Sequence, residues 1–523
     1  MPASAPGSAP PADPSPETAE LAQLGLAELA ARLQRHQLSS VELVQALLRR
    51  IGAVDRDGPR LRSVLAVADD AEAAAAALDA ERAGGRVRGP LHGIPVLVKD
   101  NCDTVGGAAT TAGSLALAGT RPGRDATCVR RLREAGAIVL GKANLSEWAN
   151  FRSTHSASGW SACGGQTRNP HVLDRSPGGS SSGSGAAVAA GLAPLAVGTE
   201  TDGSILCPAA FCGVVGIKPT VGRVSRSGVV PISASQDTVG PMARTVLDAA
   251  RLLDVLAGRD PLDPATRRRG AGPLATAAAA ASPPPLAGVR LGVARAVHFG
   301  YSARADRLVE AALAELRAAG AVLVDPADIP TAEVLRGSPD ELTVLLHEFK
   351  DGVDAYLRER PGQLDACPRS LVELIDFNEA HADQELRWFG QELFVQAAAT
   401  DGLAAPGYRR ARARGWRRAR RQGIDHALRT HEVAALLVPT MGPAPCSDLV
   451  NGDADGGAGY QAAAVAGTPA ITVPVGLTDG LPVGLTLLGA AWSETQLVGL
   501  AAAVERELAV RLVPQYLGTV PVD

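Results

Sequence analysis

Short apolar runs, each ended by a polar turn, alternate with helix-patterned segments along most of this chain, and that alternation limits its fold more than any other feature. GIPVLVKDN (93–101), AIVLGK (137–142), VRLGVARAV (289–297), AVLVD (321–325) and AALLVPT (434–440) have the length and composition of buried strands. Helical spacing of apolar residues fills 20–53, with Ser39 and Ser40 as N-cap candidates, and returns over 71–83, 126–135, 303–319, most of 330–433 and 494–508. In ITVPVGLTDGLPVGLTLLG (471–489), Asp479–Gly480 separates two apolar runs and predicts a hairpin. The expected class is α/β, a large mixed β-sheet core covered by helices on both sides. Residues 1–18 are rich in Pro, Ala and Ser and are expected to be disordered. Residues 255–287 are expected to be a Pro/Ala/Arg-rich connector.

Charge and cysteine usage narrow the classes of function. With 51 basic and 55 acidic residues the net charge is −4, which argues against a dedicated nucleic-acid or membrane-surface binder. The strongest basic run, RRARARGWRRAR (409–420) continued by Arg421, could meet RNA or another anionic partner, but acids elsewhere offset it and a solvated helical face is favoured. No stretch reaches the roughly 18–20 apolar residues of a membrane span. MPASAPGSAPPADPSPETAE lacks the basic start and apolar run of a secretory signal. Cysteines 102, 128, 163, 207, 212, 367 and 446 form no CxxC pair and are expected to be free thiols, consistent with a cytoplasmic location.

Lysine is rare here. Lys99, Lys142, Lys218 and Lys350 are four of the 51 basic residues, leaving 47 arginines. A buried lysine can lose its proton and act as a base, whereas arginine stays protonated. Lys99 ends a strand pattern. Lys142 and Lys218 also follow apolar runs and are expected to be structural, in ion pairs; Lys350 is expected at the surface.

The long irregular stretch from Asn144 ends in PGGSSSGSG (177–185) and runs directly into the apolar segment 186–203. Gly179–Gly183 fits the G-x-S-x-G elbow, but a polar loop precedes it where that motif needs a strand. A phosphate loop would need a lysine after the glycines. A flexible linker would not lead into an apolar segment.

Taken together with Lys99 and GTETDGSILCPAAFCG (198–213), the Gly/Ser stretch resembles the amidase signature family, over about residues 20–510. GPLHGIPVLVKDN (89–101), GKANLSEWANF (141–151), SPGGSSSGSGAAVAAG (176–191) and SQDTVGPMARTV (235–246) match family blocks. GWSACGGQTRNP (159–170), ELRWFGQELFVQA (385–397) and GLPVGLTLLGAAWSE (480–494) resemble its bacterial peptide-amidase branch. The resemblance implies a single domain over 19–523, with a catalytic core at about 88–255 and a C-terminal half at about 288–515 completing the sheet and pocket. It implies Ser204 as nucleophile, Ser180 as bridging serine on a cis peptide, and Lys99 as base. The backbone N–H groups of Thr201, Asp202, Gly203 and Ser204 would form the oxyanion hole. Trp148, Asn150 and Phe151 fall in a block placed near substrate. Leu206 stands where many members have arginine. No metal or organic cofactor is implied.

The chemistry is coherent without the family. Serine is a weak nucleophile and needs a positioned base. No histidine lies in strand 93–101, the Gly/Ser stretch or 198–213; His92 is expected to pack, and His155 is a weaker candidate for substrate contact. A lysine base near neutrality needs its pKa lowered by about 2–3 units, for which desolvation is the natural cause. Asp100 or Asp202 could orient it. The expected activity is hydrolysis of carboxamides, either C-terminal peptide amides or aryl and aliphatic amides, with release of ammonia. The alternative is a glutamine-dependent amidotransferase subunit acting on mischarged tRNA. The expected partner is a small-molecule or peptide amide, with no nucleic acid and no membrane.

Overall fold

In the computed structural model, residues 16–268, 273–279, 286–360 and 367–521 are described. The strands in chain order are β1 (Val64–Val67), β2 (Pro95–Lys99), β3 (Ile138–Ala143), β4 (Trp160–Ser161), β5 (Gly165–Gln166), β6 (Leu195–Glu200), β7 (Val215–Lys218), β8 (Thr238–Ala243), β9 (Arg290–Val293), β10 (Val322–Val324), β11 (Ala435–Pro439), β12 (Ala470–Thr478) and β13 (Leu481–Leu488). β4 and β5 pair by themselves; the other eleven form one sheet in the order β1-β3-β2-β6-β8-β7-β12-β13-β11-β9-β10. Its pairs β2–β3, β2–β6, β9–β10 and β9–β11 are parallel and the rest antiparallel. Every position of β2, β3, β6, β8, β11 and β13 is buried, so helices cover both faces, as the unbroken apolar runs require. The N- and C-terminal parts of the chain meet inside this sheet, where Ala470 of β12 pairs with Lys218 of β7.

Local signals account for many element boundaries. Ser39 caps the helix Ser40–Arg50, and Glu42 returns a bond to the Ser39 N–H, a complete capping box. Asp479 (φ 51°) and Gly480 (φ 78°) both take left-handed angles, the type I′ arrangement that matches the twist of a two-residue hairpin. The alanine-rich helix spans Ala71–Ala83, and the last helix spans Glu494–Leu508. Among the described residues no helix is long and apolar enough to cross a membrane.

Two expectations change. Residues 1–15 of the proposed disordered tail lie outside the described residues, but Pro16–Gln23 is a helix, with Thr18, Leu21 and Ala22 buried. In the connector 255–287, Leu274–Ala279 is a helix packed on Val246–Leu256 and Glu494–Leu508; residues 269–272 and 280–285 lie outside the described residues. Small alanines let that helix sit close, a tertiary contact with no periodic signal in so short a segment.

The fully buried helix Ser182–Ala189 underlies the functional region and packs on β6, β2 and β3. Glycine permits its approach. A Cβ on Gly183 would lie 2.2 Å from the Ser63 carbonyl oxygen and 2.6 Å from backbone atoms of Asn144. Backbone cannot move aside as a side chain can, so Gly183→Ala should lower stability by about 1–3 kcal/mol through overpacking. The denaturant midpoint of the variant measures this; an unchanged midpoint would show that the helix has room to shift.

Candidate active site

β2 and β6 run parallel, so their C-terminal ends open at the same edge of the sheet. Lys99 is the last residue of β2, and Thr199 and Glu200 end β6. The Lys99 side chain is wholly buried. Its Nζ lies 2.7 Å from Ser180 Oγ, 2.9 Å from Thr199 Oγ1 and 3.3 Å from Thr199 O. The Gly179–Ser180 peptide is cis. These contacts suit a neutral amine, whose two N–H groups can meet the Thr199 oxygens while its lone pair accepts the Ser180 O–H. Burial lowers the Lys99 pKa to about 7, against weak opposing attraction from Cys102, Glu200 and Asp237.

No carboxylate contacts Lys99 among the described residues. Asp100 instead sits 3.6 Å from Lys142 and accepts from the Thr111 hydroxyl and N–H. Lys142 also donates to Cys102 O, Thr104 Oγ1 and Thr110 Oγ1. Lys218 is buried at the β7 end, donating 2.6 Å to Thr468 O, with no ion pair within 4 Å among the described residues. Lys350 is half-buried rather than a free surface residue, because its ammonium holds the carbonyls of Ala398 and Thr400. His92 packs, with Nε2 2.9 Å from Leu78 O.

The serines of the Gly/Ser stretch are buried and bonded, unlike those of a linker. Ser181 Oγ donates to Thr199 O, Ser182 Oγ to Gly178 O and Ser184 Oγ to Val197 O. Ser181 N–H donates 3.1 Å to Ser204 O, which ties this stretch to the turn Thr201–Ser204. Among the described residues the four N–H groups of that turn enter no backbone–backbone bond, and the Gly203 N–H is turned to the Glu200 carboxylate. Ser204 is buried but not wholly enclosed, at 7% exposure. After it, Glu200 accepts the N–H groups of Ile205 (2.7 Å) and Leu206 (3.0 Å), pinning the start of the helix Leu206–Phe211. Asp237 fixes the near side by accepting the Thr201 hydroxyl at 2.6 Å. Burial pushes the Asp237 pKa up to about 6. Gly203 has φ 82°, and a Cβ there would lie 2.2 Å from the Tyr460 ring.

The other expected site residues sit deeper. Trp148 is 1% exposed and packs edge-on against Phe394; Phe151 packs against Phe349. Leu206 is wholly buried. Asn150 is half-buried, with Oδ1 unpartnered. Trp148, Ala149 and Asn150 all take left-handed angles, and non-glycine residues there cost about 1–2 kcal/mol each. Asp202 does not reach Lys99; burial and Glu341 push its pKa well up. His155 is exposed, 3.6 Å from Glu392. Sequence reasoning missed Thr199, Glu200, Asp237, Tyr460 and Asp453. The first two lie in the matched block and were legible as polar residues ending an apolar strand. Tyr460 and Asp453 arrive by tertiary folding alone; Asp453 accepts the Ser158 N–H with both carboxylate oxygens.

A family model described as Amidase matches residues 42–498. The chain belongs to the amidase family. It is 38% identical over 513 residues to a probable amidase of Arabidopsis thaliana, covering 96% of this chain and 93% of that one. It is 39% identical to a glutamyl-tRNA(Gln) amidotransferase subunit of Anaeromyxobacter dehalogenans, covering 94% and 97%. The crystal structure of native peptide amidase from Stenotrophomonas maltophilia superposes with a TM-score of 0.89 at 52% identity, covering 94% and 99%. The chain is an amide hydrolase.

Burial of Lys99 has a thermodynamic signature. Its folded pKa of about 7 lies below the usual value near 10.4, so between these pH values the unfolded chain holds the extra proton. Lys99 therefore destabilises the fold fully below about pH 7, and this penalty fades as pH rises toward 10.4. Lys99→Met should gain stability over wild type at pH 6, and the gain should shrink by pH 9.5. Paired urea titrations read the difference; a gain independent of pH would mean that Lys99 is not desolvated.

Proposed function

We propose that the chain hydrolyses carboxamides, C-terminal peptide amides or aryl and aliphatic amides, through Ser204, Ser180 and Lys99 by way of an acyl-enzyme. The observation that carries this reading is the buried Lys99 amine 2.7 Å from the Ser180 hydroxyl, with a pKa of about 7. Ser204 Oγ forms the bond to the carboxamide carbon. Its proton passes to Ser180 as the Ser180 proton passes to Lys99. The carbonyl oxygen, now an oxyanion, accepts from the N–H groups of the Thr201–Ser204 turn. The C–N bond breaks, and ammonia leaves with a proton returned along the same relay. Water then attacks the ester, releasing the acid and restoring Ser204.

The acyl side is read as neutral and fairly bulky. Leu206 offers no cation to a carboxylate beside the scissile amide. Asp453, held by Ser158, would repel one. Trp148 and Phe151 shape the region as packed walls rather than open contacts. Apolar walls discriminate by only about 1–3 kcal/mol per methylene-sized difference, so a range of amides should react.

A second reading, the amidotransferase component, draws support from the 39% identity to the Anaeromyxobacter protein. It requires ammonia to pass to a complex. Release of ammonia by the isolated chain from simple amides supports the hydrolase; turnover only with added partner proteins would favour the alternative.

Ser204→Ala should lose several orders of magnitude in kcat, because no covalent path remains. Lys99→Arg should be nearly as damaging. The kcat/KM profile should rise with pH, half-maximal near pH 7, as Lys99 loses its proton. A flat profile from pH 5 to 9 would count against a lysine base. Comparing kcat/KM for a C-terminal peptide amide, a benzamide and a small anionic amide should place the anionic one last.

A further inference from the structure

The eight arginines of 409–421 take no part in the candidate site. Four are committed to acids: Arg414 and Arg418 to Asp340, Arg412 to Glu348 and Arg420 to Asp425. Arg409 is exposed and forms no ion pair among the described residues, and the same holds for Arg268. Both line one cavity of about 610 Å³, a volume suited to a small organic molecule. Lys99, Ser180 and Ser204 do not line it.

Its walls combine two features that recognise an aromatic anion. Trp416 is 42% exposed, with the Arg420 guanidinium 5.5 Å from its ring centre, and Trp492 is half-buried in the same cavity. Trp492 is held at φ 68° with its backbone N–H donating to Thr220 Oγ1, 2.9 Å away. Indole faces accept flat apolar groups. A guanidinium grips a carboxylate with two parallel bonds. The acids of the lining are already engaged: Asp340 by its two arginines, and Glu341 by the side-chain amides of Gln236 and Gln461. Among the described residues, Arg268 and Arg409, neither in an ion pair, outnumber Glu341, the one lining carboxylate that no cation holds, and leave the cavity positive.

Gln236 connects this cavity to the candidate active site. Its Nε2 lies 2.9 Å from Glu341 Oε1 and 3.3 Å from Thr201 O, the first residue of the turn that ends in Ser204. A ligand whose carboxylate sits on the arginines and whose ring reaches Gln236 would act on that turn without touching the serines.

Amide hydrolysis converts a neutral carboxamide into a carboxylate, so charge alone separates product from substrate. We propose that the cavity between Arg268, Arg409, Trp416 and Trp492 binds an arylalkyl carboxylate, the product class of this hydrolase, and that occupancy slows turnover through Gln236. The choice of ligand rests on the proposed function; the existence of the site does not.

The test uses the full chain, with 3-phenylpropionate as probe and tryptophan fluorescence as readout. Wild type and Ser204→Ala should both show saturable quenching. The charge reversals Arg268→Glu and Arg409→Glu together should weaken it at least about tenfold, as expected for loss of charge-assisted bonds. The neutral 3-phenylpropanamide should not displace the probe from Ser204→Ala. In wild type 3-phenylpropionate should lower kcat for a neutral amide, and in the double reversal it should no longer do so. Equal binding by the double reversal, tighter binding of phenyl phosphate than of the carboxylate, or purely competitive inhibition in both proteins would overturn the proposal. Failure of wild type to release ammonia from any amide, with probe binding intact, would instead overturn the proposed function.

Discussion

Desolvation of one ammonium group governs the candidate site. Water would keep Lys99 protonated far above neutral pH. The sheet removes that water and supplies two Thr199 oxygens and a serine hydroxyl in its place. A carboxylate in contact would restore the charge; Glu200 and Asp237 attract Lys99 only weakly, and Asp100, next in the chain, faces Lys142. Lys142 is held by Asp100 and by three oxygens of Cys102, Thr104 and Thr110. The fold sets the proton affinity of Lys99 by burying it out of contact with any carboxylate among the described residues.

The sheet supplies the geometry. Parallel β2 and β6 bring Lys99 and the approach to the Thr201–Ser204 turn to one edge. The buried Gly/Ser helix lies against the same strands and delivers Ser180. Glu200 and Asp237 brace the turn from either side. These parts come from 99–237. The outer walls come from elsewhere: Asp453 and Tyr460 from near the end of the chain, and Phe349 and Phe394 from the helical stretch. A buried Arg152, 3.0 Å from Glu147 and set over the Phe389 ring, joins that stretch to the Trp148 turn.

What the sequence made legible follows this division. Lys99 stood out because arginine fills almost every other basic position, and the hairpin turn because Asp479–Gly480 encodes its own backbone angles. The strand and helix pattern came through where apolar spacing is set by burial on one or both faces. The short helix Leu274–Ala279 did not, because it is held by contact with two distant helices. Trp148, Phe151 and Leu206 illustrate the other limit. Their block was recognisable, but whether a side chain faces the cleft or the core depends on left-handed angles at 148–150 and on Phe349 and Phe394, some 200 residues away. The arginine run 409–421 was visible as a basic cluster, but the cavity it shares with Arg268, Trp492 and Gln236 was not, since these meet only by tertiary folding.

The scarcity and burial of lysine also affect how this protein meets its chemical surroundings. Three of its four lysine side chains are wholly enclosed, and the fourth is held by two carbonyls. The folded surface therefore offers acylating reagents, reducing sugars and amine-directed crosslinkers scarcely any side-chain amine, while remaining rich in guanidinium charge. Amine reactivity becomes a gauge of conformational opening: a lysine that takes up label reports that the sheet edge or the helical stretch has come apart.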